Sequence, residues 1–76
     1  MKAITNLTNS LRNNLQSTVN SELYENIDIG EEFSSLIDFG SSKQEIENDK
    51  DFLDFLEDNN IAIKFDFMGV HFIKMA

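Results

Sequence analysis

The chain of 76 residues contains no cysteine, no proline and no tryptophan, and it has only three glycines. Without cysteine it can form no disulfide and no thiolate metal site. The lack of proline and glycine argues against flexible linkers and favours closely connected elements. No apolar run approaches the roughly 20 residues of a membrane-spanning helix, and the first residues lack the apolar core of a secretory signal. These absences predict one small cytoplasmic domain over residues 1–76.

Positive charge is also scarce. The chain has six Lys and Arg residues and fourteen Asp and Glu residues, which gives a net charge of −8. Repulsion makes free nucleic acid and anionic membranes poor partners. The acids are not spread evenly: residues 22–58 hold thirteen of them and two lysines, whereas residues 1–21 hold none. Solubility alone does not require this segregation, so a basic protein surface is the expected partner.

Apolar residues recur at spacings of three and four over the first third of the chain, which predicts an amphipathic helix over about 4–24. The residues of this stripe are Ile4, Leu7, Leu11, Leu15, Val19 and Leu23. The opposite face is rich in Asn, Ser and Thr, whose side chains compete for backbone hydrogen bonds. The helix therefore depends on packing its Leu stripe, within the monomer or against a second copy in a homodimer.

Two more helices are predicted in the middle of the chain. In "EEFSSLIDFG", acids precede apolar residues at helical spacing and a glycine follows, which favours a short helix over about 31–38. A longer helix is predicted over about 43–58, with Ser42 as its N-cap and Glu45 completing a capping box. Its apolar face explains why this segment is helical, but its many carboxylates are left without a role in folding.

The last segment alternates polar and apolar residues around a glycine, which is typical of an antiparallel hairpin over about 61–75. A loop at Met68–Gly69 would place five apolar residues on the face that covers the helices. These residues are Ile63, Phe65, Phe67, Val70 and Phe72. The expected fold class is α+β, a small single domain with two to three helices followed by a C-terminal antiparallel β-hairpin.

Signatures of catalysis and of metal binding are missing from the sequence, which has no Walker A loop, no G-x-G-x-x-G and no H-E-x-x-H. His71, the only histidine, is expected to be a partly exposed strand residue. A calcium loop beginning at Asp49 fails at its fifth, sixth and twelfth positions, which are Leu53, Asp54 and Asn60. We therefore expect no enzyme, no catalytic residue, no metal ligand and no cofactor.

Four carboxylates of the helix predicted over 43–58 follow one another at spacings of four, three and four residues: Glu47, Asp51, Asp54 and Asp58. Each step climbs about 4.5–6 Å, which is comparable to the spacing of phosphates along a nucleic-acid strand. Like charges at these spacings cost a helix a few tenths of a kcal/mol per pair, and such local conflicts are expected at functional sites. The candidate partner-binding residues are Glu47, Asp51, Asp54, Glu57 and Asp58, extended by Glu31, Glu32 and Asp38 of the shorter helix.

The function expected from this pattern is a small acidic inhibitor that occupies a basic channel as a nucleic-acid mimic. In size and charge the chain is similar to phage-encoded inhibitors of restriction and CRISPR systems, although no residue motif supports the likeness. Tyr24, Phe39 and Phe67 are candidate aromatic anchors. The alternative is a protein-binding module that does not mimic nucleic acid, such as an immunity protein or a regulator of a transcription or replication enzyme. The other interpretation is that the acidic face only keeps the protein soluble.

Overall fold

The computed structural model describes residues 6–37 and 42–76. In chain order the elements are α1 (Asn6–Val19), the 3-10 helix η1 (Glu22–Asn26), β1 (Glu32–Ile37), α2 (Lys43–Glu47), α3 (Lys50–Asp58), β2 (Ile61–Asp66) and β3 (Gly69–Lys74). Within these residues the strands form an antiparallel sheet in the order β1-β3-β2. The molecule therefore has the α+β fold that the sequence predicts, with helices ahead of a C-terminal hairpin.

The first predicted helix is present but ends earlier than the Leu stripe suggests. The side chain of Ser21 accepts a hydrogen bond from the Leu23 N–H at 3.1 Å, and the backbone restarts there as η1. Leu11 and Leu15 are buried as expected, whereas Leu23 is 74% exposed. The helical spacing continues past Val19 in the sequence, but a local side-chain cap interrupts it.

The helix predicted over 31–38 is wrong, because this segment is the edge strand β1. Leu36 lies opposite Val70 in the central strand and packs on the core, whereas its neighbour Ile37 is 63% exposed. An irregularity after Glu32 lets Phe33 meet the Tyr24 ring edge-to-face, with centroids 5.2 Å apart. Pairing with β3 thus overrides a helical pattern that only a few apolar residues carried.

The helix predicted over 43–58 is interrupted after five residues, so α2 and α3 are separate helices. Asp49 has an extended backbone, and its side chain accepts a hydrogen bond from the Phe52 N–H at 3.1 Å. It is therefore the N-cap of α3. The capping box predicted at Ser42 is wrong, since Ser42 has helical backbone angles and its side chain makes no capping bond.

The predicted hairpin is confirmed, but its loop is Phe67–Met68 rather than Met68–Gly69. Asp66 pairs with Gly69, and Asp66 Oδ1 accepts hydrogen bonds from the N–H groups of Met68 at 2.9 Å and Gly69 at 3.1 Å. Gly69 has φ +156°, and a Cβ there would overlap the Leu36 carbonyl oxygen. Glycine at this position therefore lets β1 approach the start of β3. Phe67 consequently lies in the turn, outside the apolar face assigned to it.

The helices cover one face of the sheet and enclose the core there. Its centre is the contact of Phe52 on α3 with Phe72 on β3, whose rings are nearly perpendicular with centroids 6.2 Å apart. The buried cluster consists of Leu11, Leu15, Ile46, Phe52, Phe55, Leu56, Ile61, Val70 and Phe72. Within the described ranges, no helix has the length and apolar character needed to cross a membrane.

Lys74 is a buried lysine at the end of the central strand. Its Nζ donates hydrogen bonds to the carbonyl oxygens of Tyr24 and Ile27, both at 2.9 Å, and lies 4.7 Å from the centroid of the Tyr24 ring. Hydrogen bonds and a cation–π contact thus compensate the burial of its ammonium group. This lysine fastens the end of η1 to the sheet.

Candidate functional site: the acidic surface of α3

Three exposed aspartates of α3 form what we call the aspartate ridge: Asp51, Asp54 and Asp58. At 100° per residue they fall within about 60° of arc, and at 1.5 Å per residue they climb in steps of about 4.5 and 6 Å. Phe52 and Leu56 are buried on the other side of the helix, against the core. Burial of the apolar face therefore fixes the direction in which the ridge points.

The ridge carries little compensating charge. Lys50 Nζ lies 3.1 Å from Asp54 Oδ2, and this hydrogen bond and the charge of Asp54 raise the pKa of Lys50. Both side chains are largely exposed, so the pair contributes little to stability. For Asp51 and Asp58 the described part of the chain shows no ion pair. The ridge therefore presents net negative charge to solvent.

Two other carboxylates predicted for this face lie near the ridge without belonging to it. Glu47 is exposed on α2, and the break at Asn48 and Asp49 separates it from α3. Glu57 is exposed on α3, but it points about 100° away from Asp58 around the helix axis. The regular ladder expected from the sequence is therefore reduced to three aspartates with two flanking glutamates.

The acids predicted to extend this field do not join it. Glu31 follows a turn, where its Oε1 accepts a hydrogen bond from the Asp28 N–H at 3.1 Å. Glu32 reaches His71, whose neighbour Phe72 faces the helices, so Glu32 lies on the opposite face of the sheet. Asp38 lies outside the described residues. The strand conformation of β1 is what separates these acids from α3.

A second charged cluster, which the sequence analysis missed, lies on the outer face of the sheet. His71 Nε2 is 2.8 Å from Asp66 Oδ2, and His71 Nδ1 is 3.2 Å from Glu32 Oε2. Contacts with Glu32 and then Asp66 raise the pKa of His71, while hydrogen bonds from Met68 N–H and His71 lower the pKa of Asp66. The sequence signal was the placement of Asp66 and His71 on one face across a short turn. Both ring nitrogens face carboxylates, so the cluster links the three strands by charge.

Asp49, the first acid of the rejected calcium pattern, is held by contacts within the protein. Thr8 Oγ1 donates a hydrogen bond to Asp49 Oδ2 at 2.6 Å, while Oδ1 accepts from the Phe52 N–H. The Thr8 bond, followed by the Phe52 bond, lowers the pKa of Asp49. Beside it, a shallow cleft is lined by Arg12 and Asp51. Asp49 thus joins α1 to the start of α3. Because both of its carboxylate oxygens accept hydrogen bonds within the protein, we do not count it as part of the ridge.

The aromatic residues expected as anchors differ in exposure. Tyr24 is only 8% exposed, so its prediction as an anchor is wrong; its ring packs between Phe33 and Lys74. Phe67 is 81% exposed at the end of the hairpin and lies next to the exposed Met68. Phe39 lies outside the described residues. We call Phe67 and Met68 the hairpin tip. It is an exposed apolar surface, whereas the aspartate ridge is an exposed acidic one.

Among the described residues, no group of three or more His, Asp and Glu side chains is arranged to hold a metal ion. Comparisons of the chain with protein-family models, with curated proteins and with solved structures found no match.

Proposed function

We propose that this protein is a small acidic inhibitor that binds a basic surface of a nucleic-acid-handling protein. The observation that carries the proposal is the aspartate ridge, in which three exposed carboxylates stand in a row on a helix anchored in the core. Opposite charge on the partner would steer the encounter and raise the association rate. The step between neighbouring carboxylates supports a mimic of a phosphate backbone in the partner's binding channel.

Folding accounts for only part of the ridge, because Asp51 in the first turn of α3 suits the helix macrodipole and Asp54 pairs with Lys50. Phe52, Phe55 and Leu56 bury the other side of α3, and Asp49 caps its first turn. In contrast, Asp58 lies at the C-terminal end of the helix, where the macrodipole favours positive charge. Like charges one turn apart also destabilise a helix slightly. A role in binding explains why an aspartate occupies position 58, where a neutral or basic residue would serve the fold better.

The test replaces Asp51, Asp54 and Asp58 together with lysine and compares what the two proteins retain from a host lysate, by affinity capture and mass spectrometry. We expect the reversed ridge to lose a basic nucleic-acid-handling protein that the wild type captures, and we expect that capture to weaken as salt rises. Circular dichroism would check that the fold survives.

The matched control reverses three exposed acids outside the ridge, Glu22, Glu25 and Asp28, and has the same net charge as the ridge variant. This control should keep the partner. If both variants lose it equally, net charge rather than the ridge is responsible. If neither loses it, or if no basic nucleic-acid-handling protein is captured, the proposal is wrong.

The alternative is a protein-binding module that does not mimic nucleic acid, such as an immunity protein or a regulator. The hairpin tip favours it, because Phe67 exposes 81% of its surface without any role in the core. Exposed aromatic residues are common centres of protein interfaces. Replacing Phe67 and Met68 with alanine would abolish capture under this alternative, whereas reversal of the ridge would weaken it only modestly.

A further inference from the structure

Strand β2 forms one edge of the sheet, since the strand order is β1-β3-β2. The Met75 N–H donates to the Asn60 carbonyl at 2.9 Å, so the backbone groups of Asn60 point towards β3. Because these directions alternate along an antiparallel strand, the N–H and C=O groups of Ile61, Ile63 and Phe65 point away from the sheet. No other described strand pairs with them.

The two edges of the sheet differ in regularity. In β1 the register shifts between Glu32 and Ser34, and such irregularities disturb pairing with a further strand. In β2 every residue from Ile61 to Asp66 has one partner in β3, without a shift. The edge of β2 is therefore the better template for an additional strand.

Helix α3 packs against β2, and two of its side chains lie on the side turned away from α1. The Arg12 guanidinium lies 5.7 Å from the centroid of the Phe55 ring, which shows which side of α3 faces α1. At 100° per residue, Leu53 and Glu57 fall on the other side. Since α3 packs against β2, while α1 packs against η1 and η1 packs at β1, we expect this side of α3 to be turned towards the free edge.

We infer that the β2 edge binds an extended segment of the basic partner, which adds to the sheet as a fourth strand. This inference rests on the proposed function. It adds that the bound segment of the partner is a β-strand. Backbone groups of Ile61, Ile63 and Phe65 would pair with the segment, as in other complexes formed by strand addition. Its apolar side chains would pack beside Leu53, and its basic side chains would face Glu57.

Charge decides which occupant fits this edge. A second copy of the chain would bring another net charge of −8 to the same surface. Such repulsion opposes self-association, whereas a lysine- or arginine-rich segment is attracted. Two lysines lie at β2: Lys64 points to the outer face of the sheet, away from α3, and Lys43 Nζ lies 5.7 Å from the centroid of the Phe65 ring. The attraction for a basic segment therefore comes from Glu57 and from the net charge of the whole chain.

The test uses nitrogen-15-labelled full-length protein and a synthetic octapeptide in which lysine and valine alternate. We expect the amide signals of Ile61, Ile63 and Phe65 to shift on binding and their hydrogen exchange to slow at least about tenfold, because their N–H groups become bonded. The amides of Ala62 and Lys64, which already face β3, should change less. An octapeptide of alternating glutamate and valine should have no effect.

A pair of variants tests the role of α3. Glu57→Lys should weaken binding of the lysine–valine peptide at least about fivefold, since it replaces an attraction with a repulsion. Glu25→Lys makes the same charge change on η1, on the β1 side of the molecule, and should leave binding almost unchanged. Equal weakening by both variants, or shifts confined to β1 or the outer face, would overturn the inference.

Two further outcomes separate this inference from the proposed function. If the peptide leaves β2 unaffected while reversal of the aspartate ridge still abolishes partner capture, the edge inference fails and the proposed function stands. If sedimentation shows a dimer whose β2 amides are protected without peptide, the occupant is a second copy and the inference is wrong.

Discussion

At the scale of single residues, His71 shows how a side chain on the central strand connects both of its neighbours. Its ring lies between Glu32 of β1 and Asp66 of β2, within 3.2 Å of a carboxylate oxygen on each side. These carboxylates favour the protonated ring and raise its pKa. The link is therefore strongest when the imidazole is charged.

Because the pKa of His71 is raised in the folded state, its contribution to stability is complete below the unfolded value of about 6.5. This contribution is lost as the pH rises through the raised, folded value. We expect an NMR titration of the His71 ring to have its midpoint above 6.5. Glu32→Gln should lower that midpoint, whereas Glu45→Gln, on the exposed side of α2, should not. A wild-type midpoint at or below 6.5 would contradict the ion-pair geometry.

Gly69 is a residue whose replacement meets two separate penalties. Alanine there would be strained at φ +156°, and its Cβ would overlap the Leu36 carbonyl oxygen. We expect Gly69→Ala to lower the free energy of unfolding by about 3 kcal/mol or more. Gly30→Ala is the control, because φ is +92° but no atom lies within 4 Å of the new Cβ. This control should lose only about 1–2 kcal/mol; equal losses in urea unfolding would argue against the steric contact.

At the scale of elements, the break between α2 and α3 depends on one side chain. Asp49 caps α3 through the Phe52 N–H and is held in turn by Thr8 of α1. Its position inside a continuous helical pattern concealed this role, because the same residue also fits the interior of a helix over 43–58. This local hydrogen bond starts the second helix, two residues after α2 has ended at Glu47.

We expect Asp49→Ala to lower the free energy of unfolding by about 1–2 kcal/mol, the usual effect of losing an N-cap. Asp51→Ala removes the neighbouring exposed acid from the first turn and should cost less than about 1 kcal/mol. Since the pKa of Asp49 is lowered in the folded state, its contribution is present above about pH 4 and lost as the pH falls through the folded value. Urea unfolding at pH 7 and pH 3 measures both effects, and a smaller loss for Asp49→Ala than for Asp51→Ala would contradict this role.

The strand β1 is the element whose secondary-structure type the sequence predicted wrongly. Phe33, Leu36 and Ile37 have helical spacing, yet the segment pairs with β3. Phe33 and Leu36 pack on the core, whereas Ile37 does not. A short segment contains too few apolar residues to distinguish the two periods. Its conformation depended on a partner strand that lies more than thirty residues later.

At the scale of the whole molecule, fourteen acids against six basic residues create a field that opposes compaction. We expect the melting temperature to rise between roughly 0.02 and 0.5 M salt, because the Debye length falls from about 20 Å to about 4 Å. Reversing Asp51, Asp54 and Asp58 to lysine reduces the net charge from −8 to −2 and should reduce this salt dependence. A melting temperature that falls with salt would show that attractive charge pairs outweigh the repulsion.

The sequence alone determined the features that follow from local order along the chain. Periodicity located the Leu stripe of α1, the apolar side of α3 and the alternation of the hairpin, because each depends on neighbours a few residues away. The acidic segment could also be identified from the sequence, because the charges are counted directly along the chain. The aspartates at 51, 54 and 58 could therefore be chosen before their exposure was known.

Only the tertiary structure decided which of these features share a surface. It turned a predicted helix into β1 and so placed Glu32 beside His71 on the far face of the sheet. It buried Tyr24 and Lys74 against each other and exposed Phe67. These outcomes depend on contacts between residues distant in sequence. The spacing of a segment cannot encode such contacts, because they exist only after the strands have paired and the helices have packed on one face.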